Sequence, residues 1–82
     1  MAISIETAQD ELKAILGELF GLYEFKMTDD IKRDHWLTSM ELFELGMEIE
    51  EKGINIPQDE LSDCTTIQNL FDIYAKYRCL ES

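Results

Sequence analysis

Between Ala8 and Leu19 the apolar residues Ala8, Leu12, Ile15, Leu16 and Leu19 recur at i, i+4, i+7, i+8 and i+11. That spacing lays one continuous stripe along an α-helix and cannot line a face of a β-strand, whose side chains alternate with period two. Two further blocks, one beginning near Ser39 and one near Ile67, show helical spacing, and the most strand-like segment, Ile54-Asn55-Ile56, is too short to build a sheet. The chain is therefore expected to be all-α. Ser4 suits an N-cap and Gly21 a stop for the first helix. Thr38 is placed to cap a second helix running from Ser39 to about Lys52, with Gly53 ending it. Pro57 opens a short third helix through Leu61, and Thr65-Thr66-Ile67-Gln68 has the form of a capping box for the last, whose core residues are Ile67, Leu70, Phe71, Tyr74 and Tyr77 or Arg78. The expected architecture is a small four-helix bundle, three longer helices and one short one, forming a single domain over residues 1–82.

Charge narrows what such a bundle can do. Seven basic against eighteen acidic residues leave a formal net charge of −11, a surface that repels nucleic acid phosphates and anionic lipid and attracts basic proteins. At 45% hydrophobic residues the chain carries too much apolar surface to be a disordered acidic tail. No signal-peptide pattern or membrane-length apolar run is present, so the expected location is cytoplasmic, with no membrane insertion. Cys64 and Cys79 have neither CxxC spacing nor clustered histidines and read as two free thiols. A chain of this size has no room for a deep substrate cavity, which argues against an enzyme.

The second helix carries two apolar stripes. With Met40 at zero on a helical wheel, Phe43 and Met47 fall near ~300° and ~340°, whereas Leu42, Leu45 and Ile49 fall near ~200°, ~140° and ~180°. One stripe serves the core. The other, Met40, Phe43 and Met47, is edged by Glu41, Glu44 and Glu48 and is suited to docking on basic partners, because charge speeds encounter while soft apolar anchors set residence time. The competing expectation is that this stripe packs beneath the long connection from Leu22 to Thr38. That connection is rich in charge, with Met27, Ile31 and Trp36 available to pin it down.

The string from Thr38-Ser39-Met40 to Glu50-Glu51 resembles the start of the second helix in acyl carrier proteins, where the family has Asp-Ser-Leu. Leu12 to Glu18 resembles the family's first helix, Ile54-Asn55-Ile56-Pro57 its Ile-x-Ile-Pro, and Thr65-Thr66-Ile67 the opening of its last helix, so the likeness covers nearly the whole chain. It implies that Ser39 carries a covalent 4'-phosphopantetheine arm. It also implies that the Met40, Phe43 and Met47 stripe, with acids such as Glu44, docks onto the modifying transferase and acyl-processing enzymes. The implied function is an acyl carrier in fatty acid, polyketide or related biosynthesis, with no catalysis of its own; the chain's length and acidity favour a freestanding carrier, and a docking surface that must stay free favours a monomer. Two departures stand beside the serine: Thr38 replaces the aspartate, and Asp34-His35-Trp36-Leu37 lacks the family's Leu-Gly. They motivate an alternative, an unmodified acidic helical adaptor that keeps the docking stripe.

Other constellations are weaker. Asp34, His35 and Ser39 are residue types of a hydrolytic triad, but no glycine elbow surrounds the serine and a lone histidine in a charged loop reads as solvated. No Asp-x-Asp-x-Asp-Gly calcium loop occurs, and His35 has no second histidine or nearby cysteine with which to bind a metal.

Overall fold

The structure is a computed structural model that describes residues 4–81, with side chains described for residues 4–78. Four helices, α1 (Ile5–Phe20), α2 (Ser39–Glu51), α3 (Gln58–Ser62) and α4 (Ile67–Glu81), account for its regular structure. The remaining pairing is one isolated antiparallel bridge between Asp30 and Thr66. Helix α1 packs on α4 and α2, and short α3 closes against α2 and α4. Each helix buries the stripe that its periodicity defines: Leu12 and Leu16 from α1, Leu42, Leu45 and Ile49 from α2, and Ile67, Leu70, Phe71 and Tyr74 from α4 are all buried. Each such side chain contributes on the order of 1.5–3 kcal/mol by leaving water. Leu61 joins the core from α3, and Ile31, Leu37 and Ile54 join it from the connections.

The ends of α1 form as expected. The Ser4 hydroxyl accepts from the Thr7 amide at 3.1 Å, and Gly21 closes the helix in the left-handed region at φ 67°. Its amide bonds Gly17 O at 3.0 Å and the next amide, of Leu22, reaches back to Leu16 O at 3.3 Å. At the opposite end of the chain, a polar clasp ties α4 to α1. Glu11 accepts from the Tyr74 hydroxyl at 3.0 Å and from Arg78 Nε at 2.9 Å. Burial first, and then the Glu11 carboxylate, push the Tyr74 hydroxyl well above its ordinary pKa.

The long connection is held by backbone hydrogen bonds as well as by buried apolar side chains. The Ile31 amide bonds Thr65 O at 3.0 Å, the Ile67 amide bonds Asp29 O at 3.0 Å, and the Gln68 amide bonds Met27 O at 2.9 Å. These bonds stitch the connection to the start of α4, whose first amides have no partner within the helix. Ile31 is fully buried and Met27 packs against the core, but Trp36, expected to pin the segment, is 79% exposed. The cap of α4 also lies one residue later than Thr65-to-Gln68 spacing indicated. Thr66 Oγ1 accepts from the Asn69 amide at 3.2 Å, and Asn69 Oδ1 accepts from the Thr65 and Thr66 amides. Asparagine supplies the acceptor that glutamine was expected to supply, and Gln68 instead donates to Asp72 at 2.8 Å. Cys64 is a buried free thiol; the Cys79 side chain lies outside the described residues.

Candidate functional site

Ser39 is the first residue of α2 and is exposed. Its position follows from the residues before it. Leu37 is buried, its amide bonding Ile31 O at 2.9 Å, and Thr38 continues in extended conformation at φ −81° and ψ −177°. Extended backbone alternates its side chains, so a buried Leu37 turns Thr38 away from the core and delivers Ser39 at the helix start. The Ser39 hydroxyl takes part in no hydrogen bond among the described residues. Thr38 occupies the N-cap position without accepting from an amide of the first turn; its hydroxyl donates to the Glu41 carboxylate instead. The expected side-chain cap is thus absent: the hydroxyl still has acceptor lone pairs, but its side chain is turned to Glu41 and not to an amide of the first turn.

The outer stripe of α2 is open. Met40, Phe43 and Met47 are 75%, 55% and 52% exposed, so the stripe does not pack beneath the connection. With Ser39 and Glu44 these three residues line an open hollow of about 380 Å³. Glu41 and Glu48 flank it without lining it: Glu41 receives the Thr38 hydroxyl, and Glu48 lies 4.0 Å from Lys52 Nζ one turn on. A second hollow, of about 420 Å³, lies at the other end of α2 among Glu11, Glu18, Lys52 and Arg78. Helix α2 is 13 residues long, so at ~1.5 Å per residue the two hollows are separated by most of a helix length.

Asp34 and His35 do not join Ser39 in a triad. His35 Nε2 lies 2.9 Å from Asp29 Oδ2, and its ring meets Phe25 edge-on with centroids 6.5 Å apart. Its side chain is only 14% exposed, so it is packed rather than solvated. The Lys26 amide first, and then His35, hold the Asp29 carboxyl below its usual value. Asp34 Oδ2 accepts from the Asp30 amide at 2.8 Å, and Asp30 in turn accepts from the Lys32 and Arg33 amides. These acids are turn-builders. Among the described residues no group of three or more His, Cys, Asp or Glu side chains could hold a metal ion, and no helix is long and apolar enough to cross a membrane.

One residue beside the site stands otherwise than its apolarity predicts. Trp36, three positions before Ser39, stands at φ 60° with its indole exposed. The available signal was the pair Ile31 and Leu37, two apolar residues six apart across a charged turn, the sort of contact that accompanies a left-handed closure.

The geometry fits a phosphate-linked arm: an unengaged hydroxyl at a helix start, where backbone N–H groups and the positive end of the helix dipole favour an anion. The comparisons give the family. A family model described as a phosphopantetheine attachment site matches residues 10–73. The acyl carrier protein of Buchnera aphidicola subsp. Baizongia pistaciae (strain Bp) is 32% identical over 76 residues, covering 89% of this chain and 97% of the relative. No solved structure matches. The family model spans most of the chain and the relative is matched over nearly its full length, so the chain belongs to the acyl carrier proteins, the family with a phosphopantetheine attachment site.

Proposed function

We propose that Ser39 is the tether of the 4'-phosphopantetheine arm, and that the chain is a cytoplasmic, monomeric single-domain carrier (residues 1–82) without catalysis of its own. On this reading the arm's thiol holds acyl intermediates as thioesters in fatty acid, polyketide or related biosynthesis. One observation carries the reading: the exposed, unengaged Ser39 hydroxyl opens onto the same hollow as exposed Met40, Phe43, Glu44 and Met47.

Loading requires a partner. A transferase bound at this ridge removes the Ser39 proton, Oγ bonds to a phosphorus of coenzyme A, and the adenosine-containing half leaves as the phosphodiester forms. The chain contributes position rather than reactivity, since a hydroxyl at a helix start is sterically accessible and the dipole there accommodates the negative charge of the product. The ridge contributes affinity. Its methionines and Phe43 supply adaptable apolar contact, and exposed Glu44 with flanking Glu41 and Glu48 supplies the acidic border for basic enzyme surfaces.

The test is intact-mass measurement after incubation with coenzyme A and phosphopantetheinyl transferases, including the host's own. Wild type should gain one phosphopantetheine and Ser39→Ala none. An adduct that persists on Ser39→Ala sinks the assignment of the residue. No adduct with any transferase favours the unmodified adaptor, for which Thr38 in place of the family's aspartate is the supporting observation.

A further inference from the structure

The chain makes the same backbone closure twice. At the end of α1, Gly21 sits at φ 67°, its amide bonding the carbonyl four residues back and the following Leu22 amide bonding the carbonyl six back. After the turn that begins at Ile31, Trp36 sits at φ 60°, its amide bonding Lys32 O at 3.1 Å and the following Leu37 amide bonding Ile31 O at 2.9 Å. Gly21 adopts that conformation without a side-chain clash. Trp36 does not, because in the left-handed region Cβ crowds the carbonyl oxygen, and β-carbon-bearing residues with bulky rings are rare there. The indole does not recover the loss by packing, since Trp36 is 79% exposed. A residue that strains the backbone and gains little burial lowers the stability of the free chain, and strain of this kind clusters at functional sites.

We infer that Trp36 is a specificity-determining contact for the basic transferase that loads Ser39, presenting its indole face to an arginine or lysine of that enzyme. The inference rests on the Ser39 reading. Three observations choose this partner. Trp36 is three residues from Ser39, so its Cα lies within about 11 Å of the serine's, inside the footprint of an enzyme acting on that hydroxyl. The chain carries −11 charge; beside the tryptophan Lys32 and Arg33 are offset by Asp30 and Asp34, Arg33 lying 3.8 Å from Asp34, and beyond the serine Glu41 and Glu44 leave this stretch net acidic, which selects a cationic surface. An exposed indole is the best aromatic platform for a cation, and tryptophan and arginine are the residues that dominate binding at interface centres.

Steady-state kinetics of Ser39 modification test this with wild type, Trp36→Gly and Trp36→Phe, each also melted thermally. Trp36→Gly should raise KM about tenfold with kcat nearly unchanged, while melting at or above the wild-type temperature, by up to about 4 °C. Trp36→Phe keeps a ring and should stay within about threefold of the wild-type KM. An unchanged KM in Trp36→Gly, or a fall in kcat alone, overturns the role of Trp36 and leaves Ser39 as the tether. Failure of every transferase to modify wild type overturns the Ser39 reading and this inference with it.

Discussion

Leu42→Ala and Met40→Ala, two positions apart on one helix, should differ in stability by about 3 kcal/mol if α2 has one structural and one free face. Leu42 is fully buried and Met40 is 75% exposed. Truncating a buried leucine removes its transfer free energy and leaves a cavity, together about 2–5 kcal/mol. At ~0.05–0.15 kcal/mol per residue, a domain of this size has only about 4–12 kcal/mol in total, so the loss removes a large share of it. With about 4–8 °C per kcal/mol for a small domain, Leu42→Ala should lower Tm by about 12 °C or more. Met40→Ala uncovers almost nothing, and alanine is an equal or better helix former, so its Tm should stay within about 4 °C of wild type. Circular dichroism melts at neutral pH, with guanidinium titrations to compare m-values, would measure both. Similar losses in the two variants would mean that Met40 is covered in solution, and the free docking face would be refuted.

Further consequences follow from the charged and thiol groups. Arg78 first, then the Tyr74 hydroxyl and the charges of Arg78 and Lys52, hold the Glu11 carboxyl below its ordinary 4.5 against the opposing effect of burial. A depressed carboxylate stabilises the fold above its unfolded pKa and stops doing so as pH falls through its folded value. Wild-type Tm should therefore fall from about pH 5 to about pH 3 more steeply than that of Glu11→Gln, and parallel curves would remove the clasp from the stability argument. Burial first, with the Asp63 and Glu60 charges, raises the Cys64 thiol to about 11. Alkylation of Cys64 at pH 8, followed by peptide mass mapping, should be at least about a hundredfold slower in the folded chain than in urea. Equal rates would contradict the buried position. Because −11 charges repel one another, Tm should rise between about 0.01 M and 0.5 M salt as the screening length shortens; a flat response would show that the acids are already neutralised by local pairing.

What was legible in the sequence was set by repetition. Leu12, Leu16, Leu42, Leu45, Ile49, Leu70 and Phe71 recur at helical spacing, and burial of a stripe is a cooperative demand that many residues state together. The opposite stripe of α2 was legible for the same reason, since Met40, Phe43 and Met47 cannot face the core that Leu42, Leu45 and Ile49 occupy. Single-residue features were harder to read. Whether Thr38 caps with its hydroxyl depends on where the Glu41 carboxylate points, and whether Asn69 or Gln68 completes the α4 cap depends on a one-residue shift in where helical backbone begins. Trp36 was misread because apolarity argues for burial, while its position is governed by the closure of the Ile31-to-Leu37 turn, a backbone demand that glycine usually meets.

That turn also explains why Ser39 can be held still on a chain with so little core. The bonds from Ile31 to Thr65, from Ile67 to Asp29 and from Gln68 to Met27 fix the connection to α4 before α2 begins. Leu37 then anchors the final step, leaving Thr38 and Ser39 only the freedom of an extended dipeptide entering a helix. Breaking the stitch should therefore be felt at the serine without any change at the serine. Thr66→Pro deletes both the amide that donates to Asn69 Oδ1 and the hydroxyl that accepts from the Asn69 amide, and it restricts Thr65, whose carbonyl receives the Ile31 amide. Hydrogen exchange should rise at the Ile31 and Leu37 amides in this variant while the α1 and α2 interiors stay protected. Unchanged exchange at Ile31 and Leu37 would show that the connection is held by its own turn, independent of α4, and the route by which the fold positions Ser39 would have to be drawn through Leu37 and the core alone.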